Sequence, residues 1–297
     1  FFKQKTAYEI TYGDWSSDVC SSDLMFDKMS KNMGQPIVVE NRPGAGGNSG
    51  TAAAAKSAPD GYTLIGGGSG PVAANVTLYK TLGYDPEKDL EMIGPFAGFT
   101  IIVVVSKNLP VTSLKELVDY AKANPGKLSY GSAGVGSASH LAAELLKSMA
   151  GIDMVHVPNK GMNPAIIDLM GGQVQVLFAS VPGMLSERSE RMRPLAMAEL
   201  KRSALLPSLA TMDEAGLPGF AVGNWAGLLA PPGLDGKIVK KLHDEIIAIL
   251  DTPDMKERVK TLGYDLIAST PEQFGKQLRD DVERWGPVAK VAGEEKK

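Results

Sequence analysis

The feature that most limits how this chain can fold is the alternation of short apolar strands with glycine-rich loops and helices. Residues 100–105 (TIIVVV) form an almost continuous apolar run, as expected for a strand buried on both faces of a parallel sheet. Residues 62–65 and 128–130 also have strand character, and each runs directly into a loop of glycine and serine. Amphipathic helical segments separate these strands. The alternation predicts an α/β fold with mostly parallel sheets.

Capping residues mark the helix boundaries. Ser113 is followed by Glu116 three positions later, which is a capping box, and Thr270 is followed by Gln273 in the same way. Asp235 can cap another helix with apolar residues at helical spacing. The helices of the C-terminal part have no strong strands between them, so we expect them to pack back onto the first part of the fold.

The first 24 residues follow neither pattern. They show no apolar period of 2 or 3.6 residues, and they contain the only cysteine, Cys20. Their sequence, FFKQKTAYEITYGDWSSDVCSSDL, resembles the translation of a sequencing adapter, so we set residues 1–24 aside as foreign to the fold. The biological part then begins near Met25, and we expect its signal peptide and first strand to be missing. Without cysteine, that part has no disulfide, thiol nucleophile or cysteine-based zinc site.

Composition argues against several classes of partner. Charged residues make up 22% of the chain and the formal net charge is −3, whereas a protein that binds nucleic acid needs a concentrated basic face. No run of about eighteen apolar residues occurs, so the sequence predicts no membrane-spanning helix. We therefore expect no nucleic-acid partner.

The glycine-rich loops fail the tests for nucleotide binding and nucleophilic catalysis. In residues 41–48 the glycines are spaced G-x-G-G, whereas dinucleotide binding requires G-x-G-x-x-G. A tight turn from strand to helix is the simpler explanation. No Gly-Lys-Ser/Thr follows residues 66–70, and Pro71 stands where a nucleophile elbow around Ser69 would need glycine. The histidines share no metal-ligand spacing: His140, His156 and His243. We expect no catalytic residue, no metal and no cofactor.

The loop at residues 131–140, GSAGVGSASH, is the most informative segment. It joins a strand to a helix, and a helix N-terminus presents unpaired amides and a partial positive charge. Such a site binds an anion without lysine or arginine. The pattern indicates a carboxylate site, although an ordinary capped helix has the same pattern. Ser69, with Asn75, is a weaker candidate because residues 66–70 also suit a plain turn.

Several segments taken together resemble one family of receptors. They are VVENRPGAGG, APDGYTL, ANPGKLSYGSAGVGSASHLAAE, VPNKGMNPAIIDLMGGQV, NWAGLLAP and TPEQF. In this order they are similar to the Bug family, the extracytoplasmic receptors of tripartite tricarboxylate transporters. The resemblance covers residues 25–293, and the combination is specific although each segment alone is weak.

The resemblance implies a type II periplasmic-binding fold, in which two α/β lobes close around a small carboxylate. We expect residues 25–105 and 221–297 to form the first lobe and residues 106–220 the second. The ligand contacts that the resemblance implies by position are Ser69, Asn75, Ser132, Gly134, Gly136, Ser137, His140, Ala179 and Ser180. The chain would be a monomeric periplasmic binding protein without enzymatic activity, and its partners would be the membrane subunits of a transporter.

This chain departs from the family pattern in three places, one of which is the segment after Phe178, which also varies among members. Asn159 replaces the aromatic residue that members commonly carry before Lys160-Gly161. Residues 1–24 stand where members have their first strand and a glycine-rich carboxylate loop, so we expect the chain as given to bind poorly. Two alternatives stay open: a binding protein that senses a ligand for a signalling partner, and a nucleotide-dependent enzyme on a Rossmann-like sheet.

Overall fold

The computed structural model describes residues 8–12, 19–42, 44–181, 190–203, 206–262 and 264–294 of the 297-residue chain. Within these ranges the chain forms two five-stranded sheets. The strands of the first sheet are β1 (Tyr8–Tyr12), β2 (Ile37–Asn41), β3 (Thr63–Gly68), β4 (Glu91–Phe99) and β10 (Asn224–Ala230). The strands of the second sheet are β5 (Ile101–Ser106), β6 (Ser129–Ser132), β7 (Val155–Pro158), β8 (Val176–Ser180) and β9 (Met192–Met197).

Helices cover the sheets and bury their apolar faces against them. The α-helices are α1 (Val19–Met33), α2 (Asn48–Ala55), α3 (Asn75–Leu78), α4 (Leu114–Ala123), α5 (Ala138–Ala150), α6 (Met162–Gly171), α7 (Gly236–Leu250), α8 (Pro253–Leu262) and α9 (Pro271–Glu294). A short turn at Ala45–Gly47 precedes α2, and a π-helical turn at Gly70–Ala74 precedes α3. Strands and helices alternate as predicted, which confirms the α/β class. Within the described ranges, no helix combines the length and hydropathy that a bilayer crossing requires.

Strand order places the ends of the parallel strands of both sheets at the gap between the lobes. The first sheet has the order β2-β1-β3-β10-β4, and the second has the order β7-β6-β8-β5-β9. Only β10 and β5 run against their neighbours within the described sheets, so each sheet is mostly parallel, as predicted. Each reversed strand is the one that the chain enters on crossing from the other lobe. The carboxyl ends of parallel strands are where such folds bind ligands.

A first strand is present, which contradicts the expectation that it is missing. β1 lies between β2 and β3 and pairs in parallel with both, with Tyr8 opposite Ile37 and Tyr12 opposite Gly66. Its residues belong to the segment that resembles a sequencing adapter. The ladder is made by backbone groups, so these five residues can occupy the position between β2 and β3 without a side-chain pattern of their own. Residues 1–7 and 13–18 of that segment lie outside the described residues.

The lobes are joined at two crossings, and the first is not where we predicted it. β4 leads into β5 through the single residue Thr100, and β5 pairs with β8 and β9 of the second sheet. The boundary placed near Val105 is therefore corrected to Thr100, because an apolar run reveals a strand but not the sheet that it joins. The return crossing lies between Val222 and Asn224, next to the boundary predicted at Ala221.

The predicted caps form, and the last helix connects both lobes. The Ser113 hydroxyl accepts from the amide of Glu116 at the start of α4, and Asp235 accepts from the amide of Lys237 at the start of α7. α9 packs on β4 and α3 in the first lobe, as expected, and it also contacts α5 in the second lobe. The C-terminal helix therefore supports the relative position of the lobes from outside the crossings.

A cavity of about 650 Å³ lies beside the two crossings. Trp225 forms part of its wall and is almost fully buried, and its indole N–H donates to Asp281 Oδ2 at 2.7 Å. Burial raises the pKa of the Asp281 carboxyl, and the neighbouring Arg284 guanidinium and the Trp225 N–H oppose that rise. The wall also contains Thr100 and Glu199, so groups from both lobes meet in this cavity.

Glu199 is the titratable group most strongly affected by this environment among the described carboxylates. Burial raises its pKa to about 7, and the nearby charge of Asp265 adds to the rise. Arg284 and the amide of Ile101 favour the ionised form but do not compensate for burial. The folded protein therefore retains a proton on Glu199 at pH values where the unfolded chain has lost it.

We predict that Glu199 makes the folded protein less stable as pH rises from about 4.5 to 7. Its folded pKa of about 7 lies above the ordinary value of 4.5, so the folded state binds the proton more tightly and loses stability across that window. The full effect is at most about 3 kcal/mol. Urea unfolding at pH 5 and pH 8 should show that Glu199→Gln, which cannot ionise, is more stable than the wild type only at pH 8. The exposed Glu283→Gln serves as the control, and equal pH dependence in all three proteins would contradict the prediction.

Candidate functional site

The loop between β6 and α5 is a capped helix start whose shape depends on two glycines. Ser137 is the N-cap of α5: its Oγ accepts from the amide of His140 at 3.4 Å and donates to the carbonyl of Gly134 at 2.7 Å. Gly134 and Gly136 have φ angles of 129° and 82°, a region that other residues rarely adopt. The predicted helix N-terminus is confirmed at this position.

Side chains of the second lobe satisfy part of the loop backbone. The Ser132 hydroxyl accepts from the amide of Gly134 at 3.1 Å and lies 2.7 Å from Nε2 of His156. Nδ1 of His140 accepts from the amide of Gly136 at 3.2 Å. Four residues predicted to contact a ligand therefore hydrogen-bond to each other in two pairs, Ser132 with Gly134 and His140 with Gly136. These bonds shape the loop.

The amides of Gly134 and Gly136, which the glycine pattern favoured as ligand donors, are already hydrogen-bonded, and other amides of the loop are unpaired. Within the described residues, the amides of Val135, Ala138 and Ser139 donate no hydrogen bond. Ala138 and Ser139 are the first residues of α5, where helix geometry leaves N–H groups without partners. Ser139 Oγ accepts from the amide of Ala133 at 3.0 Å, which holds the loop against the helix start. The sequence indicated the loop correctly but not which of its amides are unpaired.

A stack of rings and a buried ion pair support the loop from the interior of the second lobe. The ring centroids of His140 and His156 are 4.3 Å apart, and those of Tyr130 and His156 are 4.8 Å apart. The Tyr130 hydroxyl donates to Glu144, and Lys147 Nζ lies 3.1 Å from the same carboxylate oxygen. Only 3% of the Glu144 side chain and 8% of the Lys147 side chain are exposed. The loop therefore rests on a rigid polar network.

The first lobe meets the loop with glycines and two polar side chains. A Cβ atom at Gly46 would lie 2.7 Å from the carbonyl oxygen of Val135, and one at Gly136 would lie 2.2 Å from Oδ1 of Asn75. Neither position accepts a side chain unless the lobes move apart. The Tyr79 hydroxyl donates to the carbonyl of Val135 at 3.0 Å. The structure thus brings the predicted residues Asn75 and Gly136 into contact across the gap.

Asn75 is oriented by residues of its own lobe. Its Nδ2 donates to Oδ1 of Asn48 at 2.7 Å, and the Tyr84 hydroxyl reaches that oxygen at 3.3 Å and the carbonyl of Pro71 at 2.6 Å. Oδ1 of Asn75 is buried without an N–H or O–H partner and faces Gly136. Asn48, Tyr79 and Tyr84 belong to the site although no local sequence signal marks them, because their roles arise from distant segments.

The remaining predicted residues differ in their surroundings. Ser69 is buried after β3 and donates to Oδ1 of Asn224 at 2.9 Å, a partner that the sequence did not suggest. Ser180 ends β8, and its buried Oγ has no partner in the part of the chain that the structure describes. Ala179 packs in the core with Ile102, and adjacent strand residues face opposite sides of a sheet. The Ala179 side chain therefore lies on the opposite face of the sheet from that of Ser180, and its place at the ligand site stays a prediction.

Among the described residues, the contacts of the first lobe with the loop come from Tyr79, Asn75 and glycines, which carry no formal charge. Lys147 is paired with Glu144, and Lys160, which follows β7, is exposed. Across the described ranges, no three histidine, cysteine or acidic side chains are grouped closely enough to hold a metal ion. The arrangement offers backbone donors and hydroxyls at a helix N-terminus, which suits a small anion without a neighbouring cation.

We predict that Lys147→Met lowers the free energy of unfolding by about 3–5 kcal/mol, because it leaves the buried Glu144 carboxylate without its counter-ion. In the double variant Glu144→Gln/Lys147→Met neither charge of this pair remains, and Gln still offers an oxygen to the Tyr130 hydroxyl. Chemical denaturation should therefore show the double variant to be more stable than the single one. A double variant as unstable as Lys147→Met would contradict the importance of the isolated charge.

Comparison with known proteins relates this architecture to one family. Residues 23–293 match the model of the tripartite tricarboxylate transporter family receptor, TctC. The protein BugT of Bordetella pertussis is 34% identical over 279 residues, which cover 92% of this chain and 86% of BugT. A protein encoded in the tcbD–tcbE intergenic region of Pseudomonas sp. strain P51 is 35% identical over 260 residues, covering 87% of this chain and 77% of that protein.

Solved structures share the fold over nearly the whole chain. The R. palustris protein Rpa4515 with adipate has a TM-score of 0.92 at 32% identity and covers 98% of this chain and 99% of its own. MatC from Rhodopseudomonas palustris with bound malate has a TM-score of 0.90 at 30% identity, covering 96% and 99%. The periplasmic binding protein BugD has a TM-score of 0.89 at 32% identity, covering 97% and 98%. The chain therefore belongs to the TctC (Bug) family of tripartite tricarboxylate transporter receptors, as a two-lobed solute-binding receptor and not an enzyme.

Proposed function

We propose that this receptor captures a small organic carboxylate in the periplasm and delivers it to the membrane subunits of a tripartite tricarboxylate transporter. The observation that carries the proposal is the loop between β6 and α5, which lies at the contact between the lobes and leaves the amides of Val135, Ala138 and Ser139 unpaired. Donors that have no protein acceptor and sit at a helix N-terminus suit a bound anion.

The strength of such a site does not require a cation. A hydrogen bond to a charged acceptor contributes about 1.5–3 kcal/mol, and the helix dipole adds to it at the first turn. Three such amides would give affinity enough for a receptor. The lobes already touch through Gly46 and Gly136, so the ligand must fit in the remaining space beside the strand ends, where Ser180 offers an unpaired hydroxyl.

The relatives support the ligand class and the partner. Adipate and malate, the ligands in the two R. palustris structures, are both small carboxylates. The family description supplies the transporter, and the BugD structure is that of a periplasmic binding protein. For this chain we therefore propose a small carboxylate as the ligand, a tripartite tricarboxylate transporter as the partner and the periplasm as the compartment.

We predict that at least one small mono- or dicarboxylate raises the unfolding temperature of the full chain, at acid concentrations high enough for the weak binding expected when residues 1–24 stand in place of the family's carboxylate loop, whereas NAD and ATP do not. At a concentration a thousandfold above Kd the gain in unfolding free energy is about 4 kcal/mol. The matched control is the neutral amide of each acid that responds, since it keeps the shape and loses the charge. No response across a broad acid panel, or an equal response to the amide, would contradict carboxylate binding.

We predict that Ala138→Pro weakens binding of a responding acid by about 10- to 100-fold, which corresponds to one charge-assisted hydrogen bond. Proline at the first helical position removes the amide hydrogen and keeps the helix, and Ser137 before it already has the extended ψ of 158° that proline requires. The matched control is Gly236→Pro, at the first position of α7 on the exposed surface. Calorimetric titration measures the Kd of each variant, and a thermal melt checks that its unfolding temperature is unchanged. Wild-type affinity in Ala138→Pro would exclude this amide from the site.

A further inference from the structure

Tyr79 connects the first lobe to the loop of the second lobe. It follows α3, and its hydroxyl donates to the carbonyl of Val135 at 3.0 Å. Burial raises the pKa of this hydroxyl, so it remains a hydrogen-bond donor throughout the neutral range. The hydrogen bond spans the gap between lobes and can exist only when they are close together.

The bond acts on a peptide unit that is also held from the opposite side. The carbonyl of Val135 and the amide of Gly136 belong to the same planar peptide. Tyr79 holds the oxygen of this peptide, and Nδ1 of His140 holds its N–H at 3.2 Å. The orientation of this peptide is therefore fixed by one residue from each lobe.

The surroundings of this peptide make the contact sensitive to lobe position. A Cβ atom at Gly70 would lie 3.1 Å from the carbonyl oxygen of Gly136, and one at Gly136 would lie 2.2 Å from Oδ1 of Asn75, for which the described residues offer no N–H or O–H donor. The absence of side chains at Gly70 and Gly136 thus lets the lobes approach each other, but these backbone contacts add little attraction between them. The Tyr79 hydroxyl adds a directional hydrogen bond at this place.

We propose that Tyr79 is a positioning residue that favours the closed arrangement of the lobes through Val135, and so sets the affinity for every ligand without choosing among them. This inference rests on the proposed binding function. A ligand that binds only the closed form has an apparent Kd that depends on the fraction of molecules already able to close. Loss of one neutral hydrogen bond lowers that fraction by about 2- to 10-fold.

The test compares Tyr79→Phe, which removes only the hydroxyl, with Tyr120→Phe, the same change on α4 away from the gap. For each acid that binds, we expect Kd to rise by the same factor of about 2- to 10-fold in Tyr79→Phe, through faster dissociation. The rank order of the acids stays unchanged, and Tyr120→Phe matches the wild type. A purely structural role would lower the unfolding temperature in the absence of acid, which we do not expect.

A second measurement separates this inference from the proposed function. Dyes at Lys56→Cys and Lys122→Cys, exposed positions on the two lobes, in a Cys20→Ser background report lobe separation by energy transfer without any acid. Tyr79→Phe should decrease the closed fraction even if no acid in the panel binds. Equal closed fractions with equal Kd values in wild type and variant would overturn the proposal, and so would a factor that differs from acid to acid, since Tyr79 would then contact the ligand itself.

Discussion

The peptide unit between Val135 and Gly136 is the constraint on which the site depends. Tyr79 of the first lobe and His140 of the second hold its two ends, and glycine on both sides of the gap allows the backbones to approach. Ser132 and Ser137 accept from the amides of Gly134 and His140, so the described donors that remain unpaired are the amide of Val135 and those of Ala138 and Ser139 at the first turn of α5. A neutral anion site follows from this arrangement because helix geometry, not a charged side chain, supplies the donors.

The crossings between the lobes contain titratable groups, which the contact at the loop lacks. At the hinge the chain buries carboxyl groups of Glu199 and Asp281 beside one guanidinium, that of Arg284. Burial keeps a proton on Glu199 near neutral pH, which links the stability of the hinge region to pH. The uncharged contact at the loop and the titratable cavity at the crossings therefore respond to different conditions, one to ligand and the other to protons.

Much of the fold follows from local sequence, whereas the finer geometry of the site depends on distant partners. The caps at Ser113 and Asp235, the apolar run that became β5, and the helix start after Gly136 are all determined within a few residues, and each was predicted. The crossing at Thr100 was misplaced because an apolar strand has the same pattern in either sheet. β1 was missed because its place in the ladder depends on backbone pairing with β2 and β3, which no side-chain pattern of its own reveals.

In the site, too, local sequence predicts the loop, whereas its hydrogen-bond pairing depends on distant residues. Ser132, Gly134, Gly136 and His140 were predicted as ligand contacts, and the structure shows them bonded to one another. Glycine and serine in a loop indicate that backbone groups are accessible, but the pairing of each amide depends on where histidine and serine side chains fall in three dimensions. Tyr79, Asn48 and Asn224 lie in other segments, and only the fold brings them to the loop or to its predicted neighbours.

The most direct test of the central claim is hydrogen exchange of the loop amides, measured by mass spectrometry with and without a saturating acid that binds. Peptides covering residues 133–141 should exchange rapidly in the free protein and become protected when the acid is bound. The N-terminus of α7, at residues 236–240, should show no change. Unaltered exchange at residues 133–141 under conditions of proven binding would contradict the claim that the unpaired amides of this helix start hold the ligand.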